Sequence, residues 1–365
     1  MKTSDSGPRP QLARSQERTA AATRRIEWAD CAKGLSIIGV CLMHVVTGVP
    51  GGMETPWFWV STVLDPLRMP LFFLISGMFA HRIISWNVET LWFRRLWFLL
   101  IPYLVYSPVQ AVTRLYIEDS LSLTHVVKAV IVGDPGLWFL YTLMAYNLAA
   151  VLLRRQPPWL AVALSFVPAI VAAMAGLMVI QGVYQALTYA PIFFLGLHYR
   201  SLFFSISHHA GQLLSVAAAV VLFALGELLY RGMDIYYFEG WSEIIASQQS
   251  MLMQARILAA VPMGIMLAVW ISYLPVLKSI FGFVGRNTLP IYVSHHAFLA
   301  LFDLIIYPHL WETQPQLRPS IENPDLRVLW GILICITAGA VFYGLSKVPV
   351  VKWTMYPPPL RKPAR

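Results

Sequence analysis

About ten runs of mostly apolar residues, each near twenty long, are separated along the chain by short polar stretches. They fall at 31–49, 62–81, 92–112, 137–153, 159–180, 184–200, 211–230, 255–274, 287–307 and 327–347. A run of this length crosses the hydrocarbon of a bilayer as a helix, because in lipid every backbone polar group must be satisfied inside its own segment. The pattern therefore predicts an all-α, polytopic transmembrane helical bundle of about ten spans. The sixth run is the weakest, interrupted by Tyr184, Gln185, Tyr189 and Pro191. The stretches 113–136, 231–254 and 308–326 read as the longest outer loops. They hold Tyr236, Tyr237, Phe238, Trp241 and Trp311, side chains that suit either contact with a sugar or glycolipid or anchoring at the membrane interface.

Charge between the runs orients the bundle. One set of connections holds Arg82, Arg94, Arg95, Arg154, Arg155, Arg200, Lys278 and Arg286. The alternate set holds Glu54, Glu118, Asp119, Asp134, Asp234, Glu239, Glu243, Glu312, Glu322 and Asp325, with few basic residues. Basic loops stay on the cytoplasmic side, which predicts both termini inside. Three regions follow: residues 1–26 as a disordered basic cytoplasmic tail, 27–350 as the transmembrane unit, and 351–365 as a basic, Pro-rich cytoplasmic tail. The first apolar run lacks a small-residue cleavage site and is followed by many more, so it reads as a membrane helix, not a signal peptide. A multi-pass protein of the cell (plasma) membrane is expected.

Composition agrees: 58% of residues are hydrophobic and 12% charged, too apolar for one soluble core of 365 residues. The net charge of +9 lies in tails and short loops beside the spans, where it sets orientation and meets anionic headgroups, so nucleic acid is not an expected partner. Cys31, Cys41 and Cys335 sit in or beside apolar runs without the spacing of a disulfide framework or a zinc site, and no metal is expected. There is no Walker loop and no G-x-G-x-x-G.

Ionisable groups inside spans are costly, and so point to function. The first span carries Asp30, Lys33 and His44 in DCAKGLSIIGVCLMH. Lys33 and His44 are eleven positions apart, three helical turns, which places them on one face about 16 Å apart along the axis. Asp30 and Lys33, at i and i+3, can pair. A histidine there can take a proton from a hydroxyl, since its ordinary pKa lies near the operating pH, or it can simply hydrogen-bond a neighbouring helix.

A basic residue, ten intervening positions and a histidine in the first span resemble the hallmark of the acyltransferase-3 family of integral membrane O-acyltransferases. Asp30-x-x-Lys33-Gly34 matches the start of that motif. PLFFLISGMF (70–79), RRLWFLLIPY (94–103), LWFLYTLM (137–144) and GRNTLPIYVSHH (285–296) are similar to later stretches of the family, in family order. The resemblance implies transfer of an acyl group, usually acetyl, from cytosolic acetyl-CoA or another acyl-CoA to a hydroxyl of an envelope carbohydrate or glycolipid. It implies a catalytic role for His44, with acyl-CoA as donor substrate and no bound cofactor. Lys33 stands where many members carry Arg, which keeps the charge and loses the bidentate fork. Arg94 and Arg95 can hold the CoA phosphates or serve as positive-inside anchors. Where many relatives carry further arginines, this chain has Trp97 and Phe98.

Other candidates have two readings each. Ser76 can bond the site or its own backbone, beside Gly77, which lets helices approach closely. Asp65 and Arg68 can pair in the outer half near the acceptor. Trp138 can pack on the donor arm or in the core. Tyr292 and His295 can orient substrate or lock a helix contact. Glu227 has no assigned role. Ten spans with intramembrane charge also describe a transporter or flippase of an envelope amphiphile, although no inverted repeat is visible. A membrane scaffold would not need the Lys33–His44 spacing.

Overall fold

A computed structural model describes residues 26–133, 136–174, 181–235 and 242–360. The chain runs through α1 (Glu27–Gly48), α2 (Pro56–Ala80), α3 (Val88–Ile117), α4 (Leu123–Val132), α5 (Trp138–Leu152), α6 (Pro158–Met174), α7 (Gln181–Thr188) and α8 (Ala190–His198). It continues through α9 (Arg200–His208), α10 (Leu213–Ile235), α11 (Ser242–Tyr273), α12 (Pro275–Arg286), α13 (Thr288–Thr313), α14 (Pro324–Leu345) and α15 (Pro349–Met355). The protein is a polytopic bundle with no strand among the described residues. Seven of these helices, α1, α2, α3, α10, α11, α13 and α14, are long and apolar enough to cross a membrane.

Differences from the hydropathy reading lie where helices break. The expected outer loop 113–136 is mostly helical: α3 continues to Ile117, and α4 folds back along it, with Tyr103 Oη donating to the Val130 carbonyl. At ten residues α4 is too short to register as a span. It is joined to α5 through Gly133 and Gly136, at φ 79° and 67°, left-handed values that favour glycine. The sixth run divides at Tyr189 into α7 and α8, just before Pro191, which has no N–H for a continuous ladder. The loop expected at 231–254 shortens, since α10 reaches Ile235 and α11 starts at Ser242. The tail through residue 25, Asp134, and the group Tyr236, Tyr237, Phe238, Glu239 and Trp241 lie outside the described residues. At the other end, α15 docks on α3: Tyr106 Oη lies 2.6 Å from Thr354 Oγ1, and Trp97 Nε1 donates to the Pro358 carbonyl at 3.0 Å.

The glycines of the family-like motifs make close helix crossings. A Cβ on Gly34 would strike the Phe281 carbonyl, and one on Gly285 the Asp30 carbonyl, so α1 and α12 touch backbone to backbone. Gly77 and Gly196 do the same for α2 and α8, against the carbonyls of Phe193 and Leu74. Between lipid-facing helices no hydrophobic drive favours association, and such contacts supply the dispersion that does. Phe73, Phe139, Tyr146, Tyr189 and Phe193 form an aromatic layer in the core.

Candidate functional site

One face of α1 organises the site. Lys33, Ile37, Val40, His44 and Gly48 recur at steps of three or four, so they lie in a row along the helix. Ile37 and Val40 line a cavity of about 190 Å³ between α1, α2, α3, α5 and α13, with Met69, Phe98, Phe139 and Tyr292 among its other walls. Lys33 lies one turn before this lining on α1, and its Nζ sits 5.5 Å from the centre of the Phe79 ring. Arg94 and Arg95 stand one turn before Phe98 and Leu99, which line the same cavity from α3. These arginines occupy a π-helical turn, Trp92–Leu96, a distortion frequent at functional positions. Arg94 is exposed, with its guanidinium 5.7 Å from the Trp86 ring. Arg95 is half-buried and has no ion-pair partner among the described residues.

At the far end of the cavity three imidazoles meet. The His44 ring lies 5.3 Å from that of His295 and 5.2 Å from that of His296, edge-on to the second. His295 is fully buried, and its Nδ1 lies 3.0 Å from the Ile291 carbonyl. A carbonyl only accepts, so Nδ1 carries the proton and Nε2 presents a lone pair, which has no protein partner among the described residues. Tyr292 Oη accepts the Phe139 N–H at 3.2 Å, one of the N–H groups that the break before α5 leaves without a helical partner. Gln110 Nε2 donates to the Val293 carbonyl at 3.2 Å and steadies the same stretch of α13.

Beyond His44, Gly48 of the α1 row lines a small pocket with His44, Phe302, Asp303, Arg327 and Gly331. Asp303 belongs to a second π-helical turn, Phe302–Ile306. Arg327 pairs with Asp303 at 3.1 Å and lies 4.3 Å over the Tyr307 ring, while its Nε is buried without a hydrogen bond.

The remaining candidates separate from this row, apart from Arg68, whose Cβ packs against α1 at Gly39. Asp65 and Arg68 pair at 2.5 Å, as their spacing suggests, but within a larger network. Arg256 of α11 bonds Asp65 at 2.8 Å and Glu227 of α10 at 2.6 Å, and is only 4% exposed. Glu227 therefore neutralises an arginine held inside the bundle. Ser76 is buried in α2 beside Gly77, at the crossing with α8. Trp138 stacks with Tyr189 and contacts Phe73, a core position. Asp30 is buried where α1 meets Gly285. Among the described residues no cluster of His, Cys, Asp or Glu is arranged to hold a metal.

Sequence reasoning passed over His296, Gln110, Asp303 and Arg327. A signal existed for the arginine. Arg68, Arg256 and Arg327 all fall within apolar runs, where a charge is costly, and each is ion-paired. His296 adjoins a candidate already singled out, whereas Gln110 is an ordinary polar residue until its neighbours are known.

A model of the acyltransferase-3 family, described as an acyltransferase domain, matches residues 26–347. The chain belongs to this family of acyltransferases. No curated protein and no solved structure matches it.

Proposed function

We propose that this member of the acyltransferase-3 family sits in the plasma membrane and moves an acyl group, acetyl in the simplest case, from cytosolic acyl-CoA to a hydroxyl of an envelope carbohydrate or glycolipid. The observation that carries the reading is the α1 row. A single helix face leads from Lys33, past the cavity walls Ile37 and Val40, to His44 at the imidazole cluster. The CoA phosphates rest near Lys33, Arg94 and Arg95 at the cytoplasmic mouth, and the pantetheine arm threads the apolar cavity so that the thioester reaches His44. The passage excludes water, which would otherwise hydrolyse the thioester, and the hydroxyls of Thr288 and Tyr292 in its lining serve the amides of the arm.

At His44 the acceptor O–H proton passes to the imidazole as the hydroxyl oxygen attacks the thioester carbonyl carbon. The C–O bond forms, the C–S bond breaks, and the departing CoA sulfur receives the proton. Alternatively, His44 takes the acyl group first, releasing CoA, and passes it to the hydroxyl in a second step. The geometry serves either route. Tyr292 and His295 are positioning residues in both, holding α13 against α1 and α5.

One observation favours a second reading. The break between α4 and α5 near Tyr292 is the type of discontinuous span that transporters use at their binding sites. Incubating purified protein with labelled acetyl-CoA and extracts of the cells that express it separates the two. The transferase reading expects His44-dependent release of CoA with the label entering an alkali-labile ester. Amphiphile movement across a vesicle, unaffected by the donor and without label transfer, would establish the transporter instead.

A further inference from the structure

A crevice of about 570 Å³ runs between α1 and α14, next to the donor cavity, with which it shares Ile37 as a wall. Ile38, Cys41, Leu42 and Val45 form one wall, and Ile332, Cys335, Ile336 and Ala340 the other, with Asn287 as the one amide side chain in the lining. From Ile332 to Tyr343 it follows three turns of α14, about 16 Å of helix. Its rim is open to the surroundings of the bundle: Ile280 is 50% and Ile336 63% exposed. The crevice begins where the polar pocket ends. Val45 lines both, and Gly331 of the pocket adjoins Ile332 of the crevice.

A polar pocket holding His44, Asp303 and Arg327 thus continues into a long apolar slot that opens sideways. We infer that the acceptor is an amphiphile, a carbohydrate or other polyol carried on an aliphatic chain. Its hydroxylated head lies against Asp303, Arg327 and His44, and its chain lies between α1 and α14. This inference rests on the transferase reading above. Asp303 accepts from hydroxyls and the Arg327 guanidinium donates to oxygens, the complement that a polyol requires. A free sugar would make no use of the slot. A chain-bearing acceptor enters from the bilayer without crossing water, and its burial contributes free energy with every methylene. The donor cavity and the acceptor slot then adjoin at Ile37, and the polar pocket at the end of the slot holds the histidine.

The test uses the full chain in lipid nanodiscs, with labelled acetyl-CoA and two separate acceptor preparations from the cells that express it: the organic-phase lipid extract and the water-soluble extract. Label is expected in an organic-phase product, as an ester on its polar head. Ala340 is exposed and lines the slot, so Ala340→Trp fills the space without disturbing a packed contact; Ala340→Leu is the milder form. Both should leave donor binding and melting temperature unchanged. The Trp variant should cut labelling of the organic-phase product at least tenfold, and the Leu variant less. Label confined to water-soluble sugars would overturn the amphiphile inference and leave the transferase reading intact. Equal labelling of the organic-phase product by Ala340→Trp would also overturn it, since the slot would then hold only ordinary bilayer lipid. No label in either preparation from the unaltered protein would remove the transferase reading, and this inference with it.

Discussion

The His44 and His295 rings lie 5.3 Å apart, although one belongs to α1 and the other to α13, about 250 residues later in the chain. His295 is tethered through Nδ1 to the Ile291 carbonyl, which fixes its ring beside that of His44. His44→Gln keeps size and polarity but cannot titrate. It should yield a folded, membrane-inserted protein with transfer reduced by roughly 10² to 10⁴, the usual contribution of general acid–base catalysis. His295→Gln should lower kcat by about tenfold while leaving the donor KM in place, as expected of a positioning residue. Near-normal acetylation by well-expressed His44→Gln would sink the mechanism.

If Lys33 holds the donor, a cation there should matter more than a fork. Lys33→Arg should retain activity and Lys33→Ala lose it. Arg94→Ala combined with Arg95→Ala should chiefly raise the donor KM, the signature of lost ground-state binding. Steady-state kinetics with varied acetyl-CoA decide the matter. An unchanged donor KM after all three cations are removed would show that CoA binds elsewhere.

The cavity between these points should be sensitive to volume. Val40→Phe intrudes on a space of about 190 Å³ and should block the acyl-bearing arm. Overpacking of this type costs about 1–3 kcal/mol of stability. Donor-dependent activity should nevertheless fall far more than a melting scan in detergent would explain. Full activity in Val40→Phe would mean that the arm takes another path.

Arg256 tests the buried charge network apart from catalysis. Its guanidinium is almost fully enclosed and bonded to both Asp65 and Glu227. Arg256→Ala removes the shared cation, leaving Asp65 with Arg68 alone and Glu227 with Arg231 alone, and should cost about 1–3 kcal/mol. Adding Glu227→Gln should recover part of that loss, because the more buried of the two carboxylates then carries no charge. Thermal unfolding of Arg256→Ala, Glu227→Gln and the double variant measures the coupling, and simple additivity would show that the network carries none.

Topology can be checked with introduced cysteines, since Cys31, Cys41 and Cys335 are buried. Ser120→Cys, in the turn between α3 and α4, should react with an impermeant reagent on intact cells. Gln156→Cys, between α5 and α6, should not. Labelling at position 156 would reverse the expected cytoplasmic placement of the termini.

Hydropathy and one spacing carry much of this protein. Apolar runs specify membrane helices because lipid leaves the backbone no other solvent, and that rule acts within a single segment. The Lys33–His44 interval has the same local character: eleven residues of helix place both on one face wherever the helix stands. Pairing of Asp65 with Arg68, three apart, was legible for that reason. Tertiary structure alone decided the rest. The α4–α5 break, the π-helical turns under Arg95 and Asp303, the meeting of His44 with His295 and His296, and the slot between α1 and α14 all depend on which helices touch. In a membrane that choice is made by close packing of small residues such as Gly34 against Phe281 and Gly285 against Asp30, where the fit is between surfaces distant in the chain. Apolar periodicity marks a helix as lipid-compatible on every face and says little about which face meets which neighbour.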